Sequence, residues 1–314
     1  MKKILVITFF LIPPLLAFSL YLFAKIIPSD QGIEYAKNIY NDKICFSFRY
    51  KECTKIISEK KKNVILLGNS QLTAINDLNK NDFSICARLI KKFEKSNTHN
   101  FKCYSLPNLN PEEINFIFKN YLNEFNHPTK IIIPLFYDDF ARESGIRNSL
   151  NDNLSLSTSI KDHNSPNYKY LFNEIIKKNK AIIESNLILL RNFIFNINEF
   201  SIRKKIPNIY SNNIQYLQST INFLSKNKNI EIITYYPPLR SDYPLPFEMK
   251  EYQFFKKEIS SFLNNKNIKN YDFDNYIDSK YFGQDLNGRI DFIHFKNEGH
   301  KILSNEILKI INDF

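Results

Sequence analysis

The chain contains 314 residues, with 43 lysines and arginines against 32 aspartates and glutamates, so its formal net charge is +11 at pH 7. Hydrophobic residues make up 43% of the sequence, and a chain of this length can form a large globular domain with a substantial core. No internal repeat and no long low-complexity tract appears, which excludes a repeat architecture.

An uncharged, apolar run occupies residues 4–24 and follows two lysines. At about 1.5 Å per residue, a helix of this length crosses a bilayer core of about 30 Å. Because positive charge tends to stay in the cytoplasm, the chain after this run is predicted to be exported. We therefore expect a membrane anchor at 1–27 and a neck at 28–62. The alternative is a cleaved signal peptide, although the apolar core of such a peptide usually spans about 7–15 residues.

The positive charge comes mainly from lysines spread along the chain. On an exported protein it favours attraction to anionic lipid head groups or to acidic envelope polymers, and export argues against a nucleic-acid partner. A solvated, lysine-rich surface without any specific partner explains the same charge. The predicted location is extracytoplasmic, at the membrane.

Four cysteines all lie in the first third of the chain. In an exported protein an even number of cysteines favours disulfides, for which three connectivities are possible. Local closure favours pairing Cys45 with Cys53 and Cys86 with Cys103. No Cys-x-x-Cys motif occurs and no histidine stands at a zinc-type spacing, so no metal site is predicted.

Five short apolar runs are typical of buried strands, and at least one helix-length segment separates each run from the next. They lie at 64–67, 101–105, 130–136, 230–235 and 268–273. This alternation predicts an α/β fold with a doubly wound, five-stranded parallel sheet, formed within residues 63–314. In such sheets, ligands bind outside the carboxyl ends of the strands.

Apolar stripes at helical spacing predict the connecting helices. One stripe includes Phe247 and Phe254 as core residues, and Asn297 is expected to cap the last helix. Residues 141–229 form an insertion between the third and fourth strands, with an apolar helical stretch at 168–200. This insertion is interpreted as a helical cap over the site, as a surface that docks on the membrane or a membrane partner, or as a subdomain packed against the sheet.

Two segments at opposite ends of the domain carry residues suited to acyl chemistry. Residues 68–72, Gly-Asn-Ser-Gln-Leu, place Ser70 just after the first strand, and Asp291 and His294 lie shortly before the last helix. In such a set the aspartate orients the imidazole, the imidazole removes the serine proton, and the serine attacks an ester. Ser70, His294 and Asp291 are therefore the predicted catalytic residues. The alternative role for Ser70 is that of a helix N-cap.

Segment 68–72 resembles the first block of the SGNH hydrolases, Gly-Asp-Ser-Leu, and the Asp-x-x-His at 291–294 resembles their last block. The order of serine, aspartate and histidine is also that of the family. The resemblance implies a five-stranded SGNH sheet and a serine esterase or acyltransferase. No cofactor is implied. It also implies a structural role for His300 in the Gly-His pair after the catalytic histidine.

The chain departs from the family pattern around the oxyanion hole. Asn69 stands where the family has aspartate, the region after the second strand has no glycine, and residues 136–139 read Phe-Tyr-Asp-Asp in place of Gly-x-Asn-Asp. Loss of one oxyanion donor costs about 3–4 kcal/mol of transition-state stabilisation. The Ser70 N–H remains, and Asn108 or Asn110 is predicted to supply a side-chain donor. Asn69 is a further candidate for oxyanion or substrate binding.

These losses resemble those of divergent, membrane-anchored SGNH-like proteins that acylate envelope polymers beside a membrane-bound O-acyltransferase. The sequence therefore predicts an exported, membrane-anchored serine acyltransferase or esterase that acts on acyl groups of bacterial envelope glycans. Its predicted partners are the membrane, an envelope glycan and a membrane-bound O-acyltransferase. The alternative is a catalytically silent SGNH-fold module that binds a glycan or acts as a scaffold, which the missing oxyanion blocks favour.

Overall fold

A parallel sheet of six strands is the framework of the protein. The computed structural model describes residues 44–45, 61–76, 82–123, 125–147, 150, 203–284 and 290–313. The strands of this sheet are β1 (Ile44–Cys45), β2 (Lys62–Gly68), β3 (His99–Ser105), β4 (Thr129–Pro134), β5 (Ile230–Tyr236) and β6 (Lys269–Asp272). They lie in the order β1-β3-β2-β4-β5-β6, and every neighbouring pair is parallel.

The predicted α/β class and the five predicted strands are confirmed, but the predicted number of strands is wrong. The additional strand is β1, which pairs with β3 at the edge of the sheet, with Ile44 opposite Cys103 and Cys45 opposite Tyr104. Because β1 has only two residues, it shows no apolar run from which a strand can be predicted.

Helices cover both faces of this sheet. They are α1 (Ile85–Phe93), α2 (Pro111–Asn120), α3 (Tyr137–Ala141), α4 (Pro207–Leu224), α5 (Met249–Asn265) and α6 (Asn297–Asn312). Successive residues of a strand point to opposite faces, so Ile65 and Leu67 pack with α2, α4 and α5, whereas Val64 and Leu66 pack with α1 and α6. This arrangement of two cores is that of a doubly wound fold.

Three details of the predicted helices differ in the structure. Phe254 is 57% exposed although the apolar stripe predicts a core position, and Phe247 is buried but precedes α5. Asn297 does not cap α6, because Lys296 occupies the N-cap position. The Oδ1 of Asn297 instead accepts the N–H of Phe83 at 3.3 Å, which ties the start of α6 to the segment before α1.

The predicted insertion at 141–229 is described in part, since α3 ends at its first residue and α4 lies near its end. The apolar stretch at 168–200 and the apolar run at 4–24 lie outside the described residues. Among the helices that the structure describes, none combines the length and the apolar character needed to cross a membrane.

A second, separate sheet has two antiparallel strands, β7 (Phe282–Gln284) and β8 (Ile290–Phe295). An isolated parallel bridge between Ile75 and Phe295 joins β8 to the segment that follows β2. The strand that carries Asp291 and His294 is therefore outside the six-stranded sheet.

The predicted disulfide between Cys86 and Cys103 is present and joins α1 to β3, with the Cα atoms 5.7 Å apart. Cys45 is also disulfide-bonded. Its partner lies outside the described residues, so the pairing of Cys45 with Cys53 stays a prediction.

Candidate active site

Ser70 begins a single turn of 3-10 helix directly after β2. Asn69 caps this turn, because its Oδ1 accepts the N–H of Gln71 at 3.0 Å. Gly68 is required by close packing, since a Cβ atom at this position would lie 2.6 Å from the Cγ of Pro134. The backbone thus leaves the sheet in a sharp turn, here called the nucleophile turn (68–72), that presents Ser70 at the carboxyl end of the strand.

Ser105 and Leu106, at the end of β3, fix the backbone of the nucleophile turn by hydrogen bonds. The hydroxyl of Ser105 donates to the carbonyl oxygen of Asn69 at 3.0 Å and lies 2.7 Å from the hydroxyl oxygen of Thr73. The N–H of Leu106 donates to the carbonyl oxygen of Gly68 at 3.0 Å. Because these groups are buried, the turn has little freedom to move away from β3.

The three residues predicted to act in catalysis lie together. Ser70 Oγ is 2.8 Å from His294 Nε2, and His294 Nδ1 is 2.8 Å from Asp291 Oδ2. The other carboxylate oxygen of Asp291 accepts the N–H groups of Ile293 and His294, each at 3.0 Å. These contacts form one continuous chain of hydrogen bonds from the serine hydroxyl to a carboxylate.

Asp291 is ionised at neutral pH. Burial opposes its ionisation, but hydrogen bonds from the ring of His294 and from the backbone N–H groups of His294 and Ile293 outweigh burial and lower the pKa of Asp291 to about 2. An ionised carboxylate only accepts hydrogen bonds, so in the neutral imidazole the proton lies on Nδ1. Nε2 is then the acceptor for the Ser70 hydroxyl.

The amide of Asn69, a predicted candidate for oxyanion or substrate binding, contacts a buried carboxyl group. Its side chain is buried, and its Nδ2 donates to Asp139 Oδ2 at 2.9 Å. Burial raises the pKa of Asp139 well above its ordinary value, although the hydrogen bond from Asn69 opposes this shift. The pair links the nucleophile turn to α3, beyond the carboxyl end of β4.

Asn110, the other predicted candidate for a side-chain oxyanion donor, contacts two backbone groups. Its Oδ1 accepts the N–H of Glu113 at 3.0 Å as the N-cap of α2, and its Nδ2 donates to the carbonyl oxygen of Gly145 at 3.0 Å. Asn108 is exposed and has a backbone φ of 52°, in the left-handed region that favours glycine. Its carbonyl oxygen accepts a hydrogen bond from Arg147 Nη2 at 3.4 Å.

His300 is fully buried and contacts the backbone just after the nucleophile turn. Its Nε2 donates to the carbonyl oxygen of Ala74 at 2.9 Å, and its Nδ1 accepts the N–H of Ile85 at 3.3 Å. Burial lowers the pKa of His300 to about 3, so the ring is neutral. Its contacts are with the backbone of two other elements, as the resemblance implied for a structural histidine.

Sequence reasoning missed two amide side chains that contact β8. Gln71 Nε2 donates to the carbonyl oxygen of Ile293 at 2.7 Å, and Asn76 Nδ2 donates to that of His294 at 3.0 Å. A signal for Gln71 was available, because the family block has an apolar leucine at this position. No pattern in the sequence indicates Asn76.

No group of three or more histidine, cysteine, aspartate or glutamate side chains suited to hold a metal ion occurs within the described ranges.

No protein-family model and no curated protein matches the chain. Among solved structures, the chain is similar to a GDSL-like lipase from Bacteroides thetaiotaomicron VPI-5482, at 12% identity and a TM-score of 0.43 over 82% of this chain and 92% of that one. A member of the lipolytic protein G-D-S-L family from Veillonella parvula DSM 2008 is 11% identical, at a TM-score of 0.43 over 81% of this chain and 100% of that one. An acetyl xylan esterase from Geobacillus stearothermophilus is 9% identical, at a TM-score of 0.40 over 79% of this chain and 93% of that one.

The buried His300 predicts a specific dependence of stability on pH. An imidazole in the unfolded chain binds a proton near pH 6.5, whereas His300 in the folded protein binds one only near pH 3. Between these values the unfolded state binds more protons than the folded state. The stability that His300 contributes to the folded protein is therefore fully present above about pH 6.5 and is lost as the pH falls toward 3. His300→Gln should make the urea midpoint less sensitive to pH between about 7 and 4.5.

The matched control is His127→Gln, since His127 is only partly buried and lies far along the chain from the nucleophile turn. This variant should keep the wild-type dependence of the urea midpoint on pH. An unchanged slope in the His300 variant would contradict the assignment of a neutral, buried imidazole.

Proposed function

We propose that the protein is a serine esterase or acyltransferase that works through an acyl-enzyme on Ser70. The observation that supports this proposal is the continuous chain of hydrogen bonds from Ser70 Oγ through His294 to Asp291, with both heavy-atom distances at 2.8 Å. A serine alone is a weak nucleophile, and an adjacent base held by a third group is the arrangement that activates it.

The reaction proceeds in two halves. His294 Nε2 accepts the proton of Ser70 as Oγ bonds to the ester carbonyl carbon, and the resulting imidazolium is stabilised by ionised Asp291. His294 then returns that proton to the departing alkoxide, which leaves as an alcohol. In the second half, water or an acceptor hydroxyl gives a proton to His294 and attacks the acyl group, and the proton passes back to Ser70 Oγ.

The oxyanion of each tetrahedral intermediate needs donors close to Ser70. The backbone N–H of Ser70 is one, and we infer that the backbone N–H of Asn108 is the second. The loop that carries Asn108 follows β3 and starts beside the nucleophile turn, because the N–H of Leu106 donates to the carbonyl oxygen of Gly68 at 3.0 Å. Asn108 also has the left-handed backbone that glycine favours, at φ 52°, in the region where the SGNH resemblance leads us to expect a glycine.

The envelope is the proposed place of action. Residues 4–24 are long and apolar enough for a membrane anchor, and the net charge of +11 suits a surface that faces anionic lipids or polymers. In this proposal a membrane-bound O-acyltransferase supplies the acyl group, Ser70 receives it, and a hydroxyl of an envelope glycan is the acceptor.

A second candidate is a catalytically silent module that binds a glycan or acts as a scaffold. It is favoured by the residues that follow β4, where Asp138 and Asp139 stand in place of the asparagine-containing block of the family. Asp138 is ion-paired with Arg203, and Asp139 accepts the amide of Asn69 at 2.9 Å, so neither side chain supplies the amide donor that an asparagine would offer to an oxyanion.

Fluorophosphonate labelling tests the activated serine directly. The full-length protein in detergent should become labelled, and Ser70→Ala or His294→Ala should reduce the labelling rate by at least about 10³-fold. Asp291→Asn should reduce it by about 10³- to 10⁴-fold, because the imidazole then takes the wrong tautomer. The rate is measured from in-gel fluorescence as a function of time.

Matched controls are Ser225→Ala, a cap residue at the end of α4, and His127→Ala. Both should be labelled at the wild-type rate. A folded wild-type protein that stays unlabelled would support the binding module instead.

Two substitutions separate the possible donors at Asn108. Asn108→Gly keeps the left-handed backbone and should leave the labelling rate within about threefold of wild type, whereas Asn108→Ala strains that backbone and should slow labelling. If the asparagine side chain is the donor, both variants should lose about 10²-fold. Second-order labelling constants distinguish these outcomes.

The acceptor is tested with an activated acetyl ester and a soluble glycan fragment. A transferase should place acetyl groups on glycan hydroxyls and should release the leaving group faster when the glycan is present, because deacylation then has a better acceptor than water. Mass spectrometry of the glycan gives the result, with Ser70→Ala as the control. Release of acetate alone would identify an esterase.

A further inference from the structure

The segment 71–76 makes three contacts with consecutive carbonyl groups of β8. Gln71 Nε2 donates to the carbonyl oxygen of Ile293 at 2.7 Å, and Asn76 Nδ2 donates to that of His294 at 3.0 Å. The backbone N–H of Asn76 donates to the carbonyl oxygen of Phe295 at 2.8 Å. Two of the three donors are side-chain amides, and they contact the carbonyl groups that directly precede and follow the Cα atom of His294.

These contacts matter because the serine and the histidine belong to different sheets. Ser70 follows a central strand of the six-stranded sheet, whereas His294 lies on β8, which pairs only with β7 in the described sheets. No continuous ladder of backbone hydrogen bonds therefore sets the position of one relative to the other. The loop after β5 adds one backbone hydrogen bond to β8, from the N–H of Arg240 to the carbonyl oxygen of Phe292 at 3.1 Å. Between β8 and the segment after β2, the described hydrogen bonds other than the bridge of Ile75 and Phe295 all come from side chains.

Gln71 can hold β8 in place relative to Ser70, because it follows Ser70 directly and is fully buried. Its Nε2 also donates to the carbonyl oxygen of Pro238 at 3.2 Å, so one amide joins β8 to the loop after β5. Its Oε1 is buried and has no hydrogen-bond partner in the structure. An apolar residue would avoid this unpaired acceptor, but it would donate to neither carbonyl group.

Asn76 is held in place by its packing against β7. A Cβ atom at Gly283 would lie 2.3 Å from the Cβ of Asn76, so a side chain on β7 at this point would displace the asparagine. Glycine at 283 thus leaves room for Asn76 beside the two-stranded sheet. The amide of Asn76 is then directed at the carbonyl oxygen of His294 itself.

We propose that Gln71 and Asn76 are positioning residues that hold the 293–295 backbone so that His294 Nε2 stays within hydrogen-bond distance of Ser70 Oγ. This inference rests on the proposed function, because it assigns these amides to the same site. They touch neither the substrate nor the reacting atoms. Their effect is on the geometry of the base, where a displacement of about 1 Å costs about 10²-fold in rate.

The test uses the full-length protein in detergent and the variants Gln71→Met and Asn76→Ala. Methionine has nearly the volume of glutamine and donates no hydrogen bond. Each variant should lower the second-order constant of fluorophosphonate labelling by about 10- to 100-fold. Gln71→Glu, which keeps the shape but turns two acceptors toward two carbonyl groups, is the second variant in case Gln71→Met fails to fold.

The matched control is Asn63→Leu. Asn63 is a buried amide at the opposite end of β2, where its Oδ1 accepts the Nδ2 group of Asn100 at 3.2 Å. This control should shift the urea midpoint by an amount similar to the Gln71 variants and leave labelling unchanged. Labelling of the Gln71 and Asn76 variants at the control rate would overturn the proposal.

Proton NMR of the His294 ring gives a readout that is independent of catalysis. The Nδ1 proton, hydrogen-bonded to Asp291, should give a downfield resonance in the wild type and in Asn63→Leu. This resonance should shift or broaden in Gln71→Met if the amide positions the ring. If the wild type is never labelled, the proposed function fails, and an unchanged resonance in Gln71→Met would overturn the positioning role separately.

Discussion

The contact on which the site depends is the hydrogen bond between Ser70 and His294, which joins residues 224 positions apart in the chain. A hydrogen bond of this kind exists only when both backbones are fixed to within a fraction of an ångström. The backbone around Ser70 is fixed by close packing at Gly68 and by the hydroxyl of Ser105. The backbone around His294 is fixed by contacts that cross from one sheet to the other.

Two buried aspartates near the site show how hydrogen-bond donors decide charge. Asp291 receives donors from the ring of His294 and from two backbone N–H groups, and these outweigh burial and keep it ionised. For Asp139, burial dominates over the single hydrogen bond from Asn69 and raises the pKa well above its ordinary value. The chain thus places a fixed negative charge where the imidazole needs it and disfavours a second one beside the nucleophile turn.

Much of the sheet could be predicted from the sequence, and so could the grouping of Ser70, Asp291 and His294, because both depend on patterns within a few neighbouring residues. Apolar runs identified five strands, and the serine, aspartate and histidine lie in short motifs. The contacts of Asn69 and Asn110 could not be predicted, since their partners Asp139 and Gly145 are distant in the sequence. Lys130 starts a predicted strand, yet its burial and its hydrogen bond to the carbonyl oxygen of Ile310 at 2.7 Å follow only from tertiary packing.

The separation of the two sheets has a consequence for the order in which the protein is completed. Synthesis begins at the N-terminus, so Ser70 and all six strands of the parallel sheet emerge before β8 and α6 are made. Until that last segment docks, the hydrogen bond between Ser70 and His294 cannot form, even when the parallel sheet is complete. Under the proposed function, Ser70 would therefore gain its general base only in a finished molecule.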